Sequence, residues 1–356
     1  MSIPNLFLTV LSNFITIIYD SFITLLIIFI IINIFRIKDS NIRITFLFLP
    51  LLKPFIIIFE KIHFNKEYFV NRVAVLGIRL PSPAFFINRF EPFFKNPFEY
   101  SNLNDLIIFI TILLILLLLL LRWLLLYFFY KNIPFKNYKS SSISEIESIL
   151  INSSNILKVK KPILKLAIIY RFSPFIIGIK KPYIVLPIPL AVVLSKQEKE
   201  ILILHELAHI KRNDNIISWA ALILRDLLFF NPIAYITYFL IKHEQEKASD
   251  KLVLFCIKKD NRELAKNILN IFLKIKKNDY EDGKSIFNYQ VSSFITSKFI
   301  DSKLLEFRVR SILETKKNKI YLNKLNRVIM VIFFIITLLI QIVIIIKFNN
   351  FYIFLR

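Results

Sequence analysis

Two histidines bracket a glutamate in His205-Glu206-Leu207-Ala208-His209, and a second acidic pair, Glu246 and Asp250, stands four residues apart in a later helical stretch. On a helix, residues i and i+4 lie one turn apart on one face, so both imidazoles can offer a ring nitrogen to one ion, and zinc suits that donor set. Glu206, rotated by one residue, reaches the water on such an ion instead of the ion itself. Zinc lowers the pKa of that water towards 7 and polarises a carbonyl, while the glutamate takes the proton and passes it to the leaving amine. The spacing therefore predicts a zinc-dependent endopeptidase. A catalytic zinc needs a third protein ligand and an open fourth position. Glu246 is the expected ligand, and Asp250, one turn on, is the expected acceptor for the free ring nitrogen of a liganding histidine. His243 is the reserve ligand or a transition-state contact, and Glu244 reads as a solvated charge.

The elements around these residues must hold them still. Ser195-Lys196-Gln197-Glu198 is a capping box that starts a helix at Ser195, and Ile201, Leu202 and Leu204 embed the motif in an apolar stretch. That setting counts against a wet helix surface with mere i,i+4 polar contacts. The helix turns polar at Lys211-Arg212-Asn213-Asp214, so the site should lie near an edge that a peptide can reach. Upstream, Ser140 to Ile151 reads as an amphipathic helix that Asn152-Ser153-Ser154-Asn155 breaks. Leu164 to Tyr170, Pro174 to Ile179 and Pro182 to Pro187 read as strands, with Gly178 near a turn. The edge at Ile176 to Ile179 is a candidate to pair with an extended substrate, a structural hairpin being the alternative. Ile216 to Ile241, interrupted by Arg225-Asp226 and Asn231-Pro232, reads as two helices. Beyond them come an amphipathic helix over Asn261 to Lys276, a polar break over Lys277 to Lys284, and a basic helix near Leu304 to Leu313.

With 56% hydrophobic and 15% aromatic residues in 356, the chain is too apolar for an ordinary soluble protein. Spans are expected at Phe14 to Phe35, at Leu106 to Tyr130 and at Val328 to Ile346, with a weaker one at Ile44 to Phe59, where Lys53 and two prolines intervene. The first lacks a basic start and a cleavage site, which favours a retained anchor over a signal peptide. Basic residues Arg36, Lys38 and Arg43, and then Lys131 to Lys161, place the following loops in the cytoplasm. Both termini and the 61–104 loop are then external, and the His205 region is internal. The net charge of +23 is dispersed around the spans, so no nucleic acid is expected. The lone Cys256 excludes an intramolecular disulfide.

In order and spacing, Ser173 to Pro187, His205 to Asp214, Phe230-Asn231-Pro232 and Glu246-Lys247-Ala248-Ser249-Asp250 resemble the BlaR/MecR-type membrane zinc metallopeptidases. Leu304 to Arg310 is similar to that family's basic segment before its last span. The resemblance covers roughly residues 140 to 313 and implies His205, His209 and Glu246 as zinc ligands, with Glu206 as base. Its best-known members sense beta-lactams outside the cell and relay the signal to destruction of a cytoplasmic repressor. The expectation here is a member lacking the C-terminal penicillin-binding sensor domain, with Ser249 where a cysteine is common.

The expected fold is a mostly α multi-pass membrane protein with about four transmembrane helices. A cytoplasmic zincin-like α+β metallopeptidase domain (131–326) is inserted between the N-terminal membrane region (1–130) and the final span with its tail (327–356). The expected function is hydrolysis of a cytoplasmic or juxtamembrane protein, a transcriptional repressor in a signalling pathway being one such substrate. The alternatives are a housekeeping membrane protease of the HtpX/Ste24 type and a non-catalytic signalling scaffold. Expected partners are that protein substrate and the lipid bilayer, and a homodimer is a possible assembly.

Overall fold

The computed structural model describes residues 4–55, 73–75, 78–80, 102–135, 141–168, 174–178, 181–257, 260–281 and 298–315. It divides into two compact units. The first comprises Met1–Arg122, Ala221–Ile241 and Ile320–Arg356, and the second Trp123–Ala220 and Lys242–Lys319. Residues 221–241 thus group with the N-terminal segment and not with the stretch 131–326 in which they lie in sequence. Two bonds account for this. Asn231 Nδ2 donates to Ser21 Oγ at 2.9 Å, and Arg122 donates to Asp226.

The first unit opens with α1 (Pro4–Ile34) and α2 (Ser40–Leu47). A uniformly apolar run with no internal proline or glycine gives the long α1. Arg36 takes a positive φ of 47° just past its end, and Asp39 then caps α2 by accepting from Asn41 N at 2.7 Å. Ile28 and Ile32 pack against Ile37, Ile42, Phe46 and Leu49. Among the described residues, Ile17–Ile34 is long and apolar enough to cross a bilayer, and Leu113–Phe128 is a shorter apolar stretch within α3 (Asn102–Lys131). The weaker candidate at Ile44 to Phe59 is broken near Phe48 into α2 and helical residues 49–55. Its Lys53 is buried and paired, with Nζ 2.6 Å from Asp20 Oδ1 and 3.4 Å from Thr24 Oγ1. Within the 61–104 loop, β1 (Val73–Val75) and β2 (Ile78–Leu80) pair antiparallel. The end of that loop, from Asn102, already belongs to α3, while its remaining residues and the span expected at Val328 to Ile346 lie outside the described residues.

The second unit holds α4 (Ser141–Leu157), a three-stranded sheet of β3 (Ile163–Ala167), β4 (Phe175–Ile177) and β5 (Tyr183–Pro187), and then α5 (Ile188–Val193). The strand order is β3-β5-β4, with β3 parallel and β4 antiparallel to the central β5. Alternation along β5 sends Ile184 and Leu186 into the main core and Val185 to the other face, where Ile133 and Ala167 cover it. The expected break in α4 does not occur. Ser153 and Ser154 are buried in the helix, which runs on until Lys158 at φ 53° ends it and Val159 N returns to Ser154 O at 3.0 Å.

The motif helix α6 (Lys196–Arg212) lies in this core, Ile201, Leu204 and Leu207 meeting Ile146 and Leu150 of α4. Next come α7 (Asp214–Leu227), α8 (Pro232–Ile257), α9 (Asn261–Glu281) and α10 (Lys298–Glu314). The segment expected as two helices is indeed split at Asn231, whose Oδ1 accepts from Ile233 N at 3.0 Å and caps α8. Helix α9 continues to Glu281, through the start of the expected polar break.

Lys53→Met should strand the Asp20 carboxylate in an apolar setting and cost roughly 3–5 kcal/mol, whereas the Asp20→Leu/Lys53→Met double replacement should recover most of it. Thermal unfolding in detergent checks this. A single variant as stable as wild type would show that the pair contributes nothing.

Candidate metal centre

The geometry is set from both ends of α6. At its start Ser195 N donates to Glu198 Oε2 at 2.8 Å and Glu198 N donates to Ser195 Oγ at 3.4 Å, closing the capping box. Lys274 of α9 adds an ion pair to the same carboxylate at 2.6 Å. At its end Asn213 adopts the left-handed conformation (φ 56°, ψ 32°), and its N–H bonds to Ile210 O at 3.1 Å. This reversal returns Asp214 beneath the helix, so that its Oδ2 lies 2.8 Å from His209 Nδ1 and accepts from Arg212 Nε at 3.0 Å.

Helix α8 is fixed against the start of α7 by the buried Gln245. Its amide donates to Asp214 O at 3.0 Å and accepts from Ser218 Oγ at 2.9 Å. The next residue, Glu246, is thereby aimed at α6. Its Oε2 lies 3.2 Å from His205 Nε2, and its Oε1 lies 3.5 Å from His209 Nε2. The two Nε2 atoms are 3.1 Å apart. On the far side of the first ring, His205 Nδ1 is 3.0 Å from Asp250 Oδ1. Arg308 of α10 completes the cluster. It donates through Nε and Nη2 to the two oxygens of Asp250, both at 2.8 Å, and Nη1 lies 3.2 Å from Glu246 Oε2.

A carboxylate oxygen thus lies within 3.0 Å of Nδ1 of each imidazole, and the two Nε2 atoms face a common point with a Glu246 oxygen. Among the described residues, one donor atom from each of His205, His209 and Glu246 lies within 4.8 Å of the others. Two imidazole nitrogens and one carboxylate oxygen form a donor set that fits zinc and leaves a coordination position open.

Environment separates the carboxylates. Burial pushes Glu206 above its ordinary range, Glu246 adding to the effect while His205, His209 and Arg308 oppose it. For Glu246 and Asp250, burial acts upward but the Arg308 guanidinium and the His205 imidazole outweigh it, and both carboxyls stay ionised below their usual range. Asp214 is also lowered, its bond to His209 and the charge of Arg212 overcoming burial. Burial and Arg308 push the His205 imidazole down, yet Asp250 and Glu246 hold it well above its ordinary value.

His243 is not part of the convergent group; its ring meets Phe307 edge-on at 4.8 Å between centroids. Glu244, expected as a solvated charge, is buried instead, because its side of α8 faces the unit's interior and not water. Sequence reasoning also passed over Asp214, Arg212 and Arg308. Asp214 carried a weak signal as an acid just past an asparagine suited to a left-handed helix end. Arg308 carried only its place in the basic segment Leu304 to Arg310, because its partner Asp250 stands 58 residues away.

A family model described as BlaR1 peptidase M56 matches residues 94–292, more than half of the chain and inclusive of α6 and Glu246. The chain belongs to that family. M56 members are metallopeptidases, and among the described residues the N-terminal stretch Ile17–Ile34 has the length and composition to cross a membrane. Among curated relatives, the methicillin resistance mecR1 protein of Staphylococcus aureus is 28% identical over 165 residues, 45% of this chain and 27% of that protein. The regulatory protein BlaR1 of Bacillus licheniformis is 35% identical over 82 residues, 23% of this chain and 14% of that protein. The matched region therefore spans about a quarter or less of the relatives' own length.

Asn213→Val should destabilise the second unit by about 1–2 kcal/mol, because a β-branched residue resists the left-handed region, while Asn213→Gly should be tolerated. Thermal unfolding of the two variants separates these outcomes, and equal midpoints would show that the backbone conformation there is not the constraint.

Proposed function

We propose that the chain is an integral-membrane zinc endopeptidase that hydrolyses a cytoplasmic or juxtamembrane protein. His205, His209 and Glu246 hold the metal in this reading, Asp250 and Asp214 orient the two imidazoles, and Glu206 moves the proton. The observation that carries it is the meeting of both Nε2 atoms with Glu246 beside a buried carboxyl whose affinity for protons is raised. Zinc, when bound, polarises the scissile carbonyl and acidifies water. Glu206, whose affinity for protons is raised by burial, accepts the proton from water and delivers it to the leaving nitrogen. Strand β4 lies at a sheet edge, and Gly178, just past it, is bonded to Asn215 at 2.8 Å, next to Asp214. An extended peptide adding to that edge would lie beside the site.

The membrane layout is likewise proposed. With 30 residues α3 reaches about 45 Å, and Leu113, Leu117 and Leu120 stand exposed along it, as lipid contact requires. With α1, the segment Ile44 to Phe59 and the apolar stretch Val328 to Ile346 it makes four spans, and the region 131–326 is the cytoplasmic peptidase domain between them. A transcriptional repressor is the substrate class that a regulatory role supports, and the names of the relatives describe regulation and resistance. The housekeeping alternative shares the motif, but the strand block ending at Pro187 and the family match favour the regulatory reading. Against a non-catalytic scaffold stands Glu206, a base that a scaffold has no use for.

Glu206→Gln should keep one zinc per chain and abolish proteolysis, whereas His205→Ala, His209→Ala and Glu246→Ala should lose both. Metal analysis of purified protein together with substrate accumulation in cells measures this. Full zinc in Glu246→Ala would reject that ligand. For topology, a reporter active only in the cytoplasm should work when fused after Lys211 and stay silent after Arg356. The reverse pattern would overturn the layout.

A further inference from the structure

We infer that Arg308 is the positioning residue of the metal centre, orienting two of its three ligands at once; the inference rests on the zinc reading above. Asp250 is 1% exposed and receives the guanidinium as a two-point fork, both bonds at 2.8 Å. The same carboxylate lies 3.0 Å from His205 Nδ1, so that ring rests against an aspartate that Arg308 itself fixes. The third guanidinium nitrogen, Nη1, lies 3.2 Å from Glu246 Oε2. One planar group thus spans Asp250 and Glu246, which stand one turn apart on α8, and passes order on to His205 of α6 through Asp250. A lysine could supply the charge but not this geometry, since an ammonium cannot present a rigid fork to one carboxylate and a further nitrogen to another. On the other ring, His209 Nδ1 lies against Asp214, which also accepts from Arg212, so among the described residues Arg308 is the one guanidinium paired with the Asp250 and Glu246 carboxylates.

Two opposite effects could follow from its removal, and they differ in sign. A cation beside the site repels a divalent ion, so an arginine that only balanced charge would weaken zinc binding, and its loss would tighten it. An arginine that positions ligands strengthens binding, and its loss costs about 10–100-fold in affinity, as for other groups that orient ligands. The bidentate geometry on a buried carboxylate favours positioning.

The test uses the full chain in detergent, with zinc affinity measured by competition against a chromogenic chelator and folding followed by the unfolding midpoint of the zinc-free protein. Arg308→Ala should bind zinc about 10–100-fold more weakly, and Arg308→Lys should rescue only part of that loss. Unchanged or tighter binding in Arg308→Ala, or full rescue by lysine, overturns the inference. Should Arg308→Ala fail to fold, Arg308→Gln carries the test, because it keeps much of the side-chain length and removes the charged fork while leaving Asp250 in place. Weaker zinc binding in that variant supports the proposal, and wild-type affinity rejects it. His205→Ala is the control for the underlying reading. If it still binds zinc as wild type does, the zinc centre itself is wrong; if it loses zinc while Arg308→Ala does not, only the role of Arg308 fails.

Discussion

Burying ionised carboxylates is the constraint on which the second unit is built. Asp214 and Asp250 are buried, and Glu246 is half-buried beside them. Taking each such ion out of water costs several kcal/mol unless a counter-charge and good hydrogen bonds offset it. The packing answers with Arg212, Arg308 and two imidazoles, and each requires an element to be where it is. Arg212 reaches Asp214 because the chain reverses at Asn213. Arg308 reaches Asp250 because α10 docks on α8. The helical scaffold thus follows from electrostatic necessity as much as from apolar contact.

The same environment sorts four similar side chains into different states. Arg308 and the His205 imidazole keep Glu246 and Asp250 ionised, and His209 and Arg212 do so for Asp214. For Glu206 burial is the largest influence, and it raises the affinity for protons. Carboxylates pushed apart in this way divide the labour between holding charge and moving protons.

What could be read from the sequence depended on separation along the chain. The i,i+4 spacing on α6, its capping box and the later glutamate were legible because helical periodicity and capping are local rules. The three strands were found to within a few residues from their β-branched runs. Asp214 was harder, since its contact depends on one residue's left-handed turn. Arg308 and the Asp20–Lys53 pair, separated by 58 and 33 residues from their partners, leave no periodic trace. Lys53 was legible only as an interruption of a span, because hydropathy records a charge but not its partner. The polar run Asn152 to Asn155 misled for the opposite reason, its residues being accommodated within α4 by tertiary packing that overrides local preference.

The capping box at Ser195 also bears on the order in which the centre is assembled during folding. Contacts within α6 close over three or four residues and carry little loop-closure entropy, so His205 and His209 can be brought into register on one helix turn early. Glu246 joins from some forty residues away and Arg308 from more than twice that distance, each contact requiring a longer loop to close. A partly folded chain would therefore present two imidazoles before it presents a carboxylate, and would hold a metal loosely until α8 and α10 arrive to complete the set.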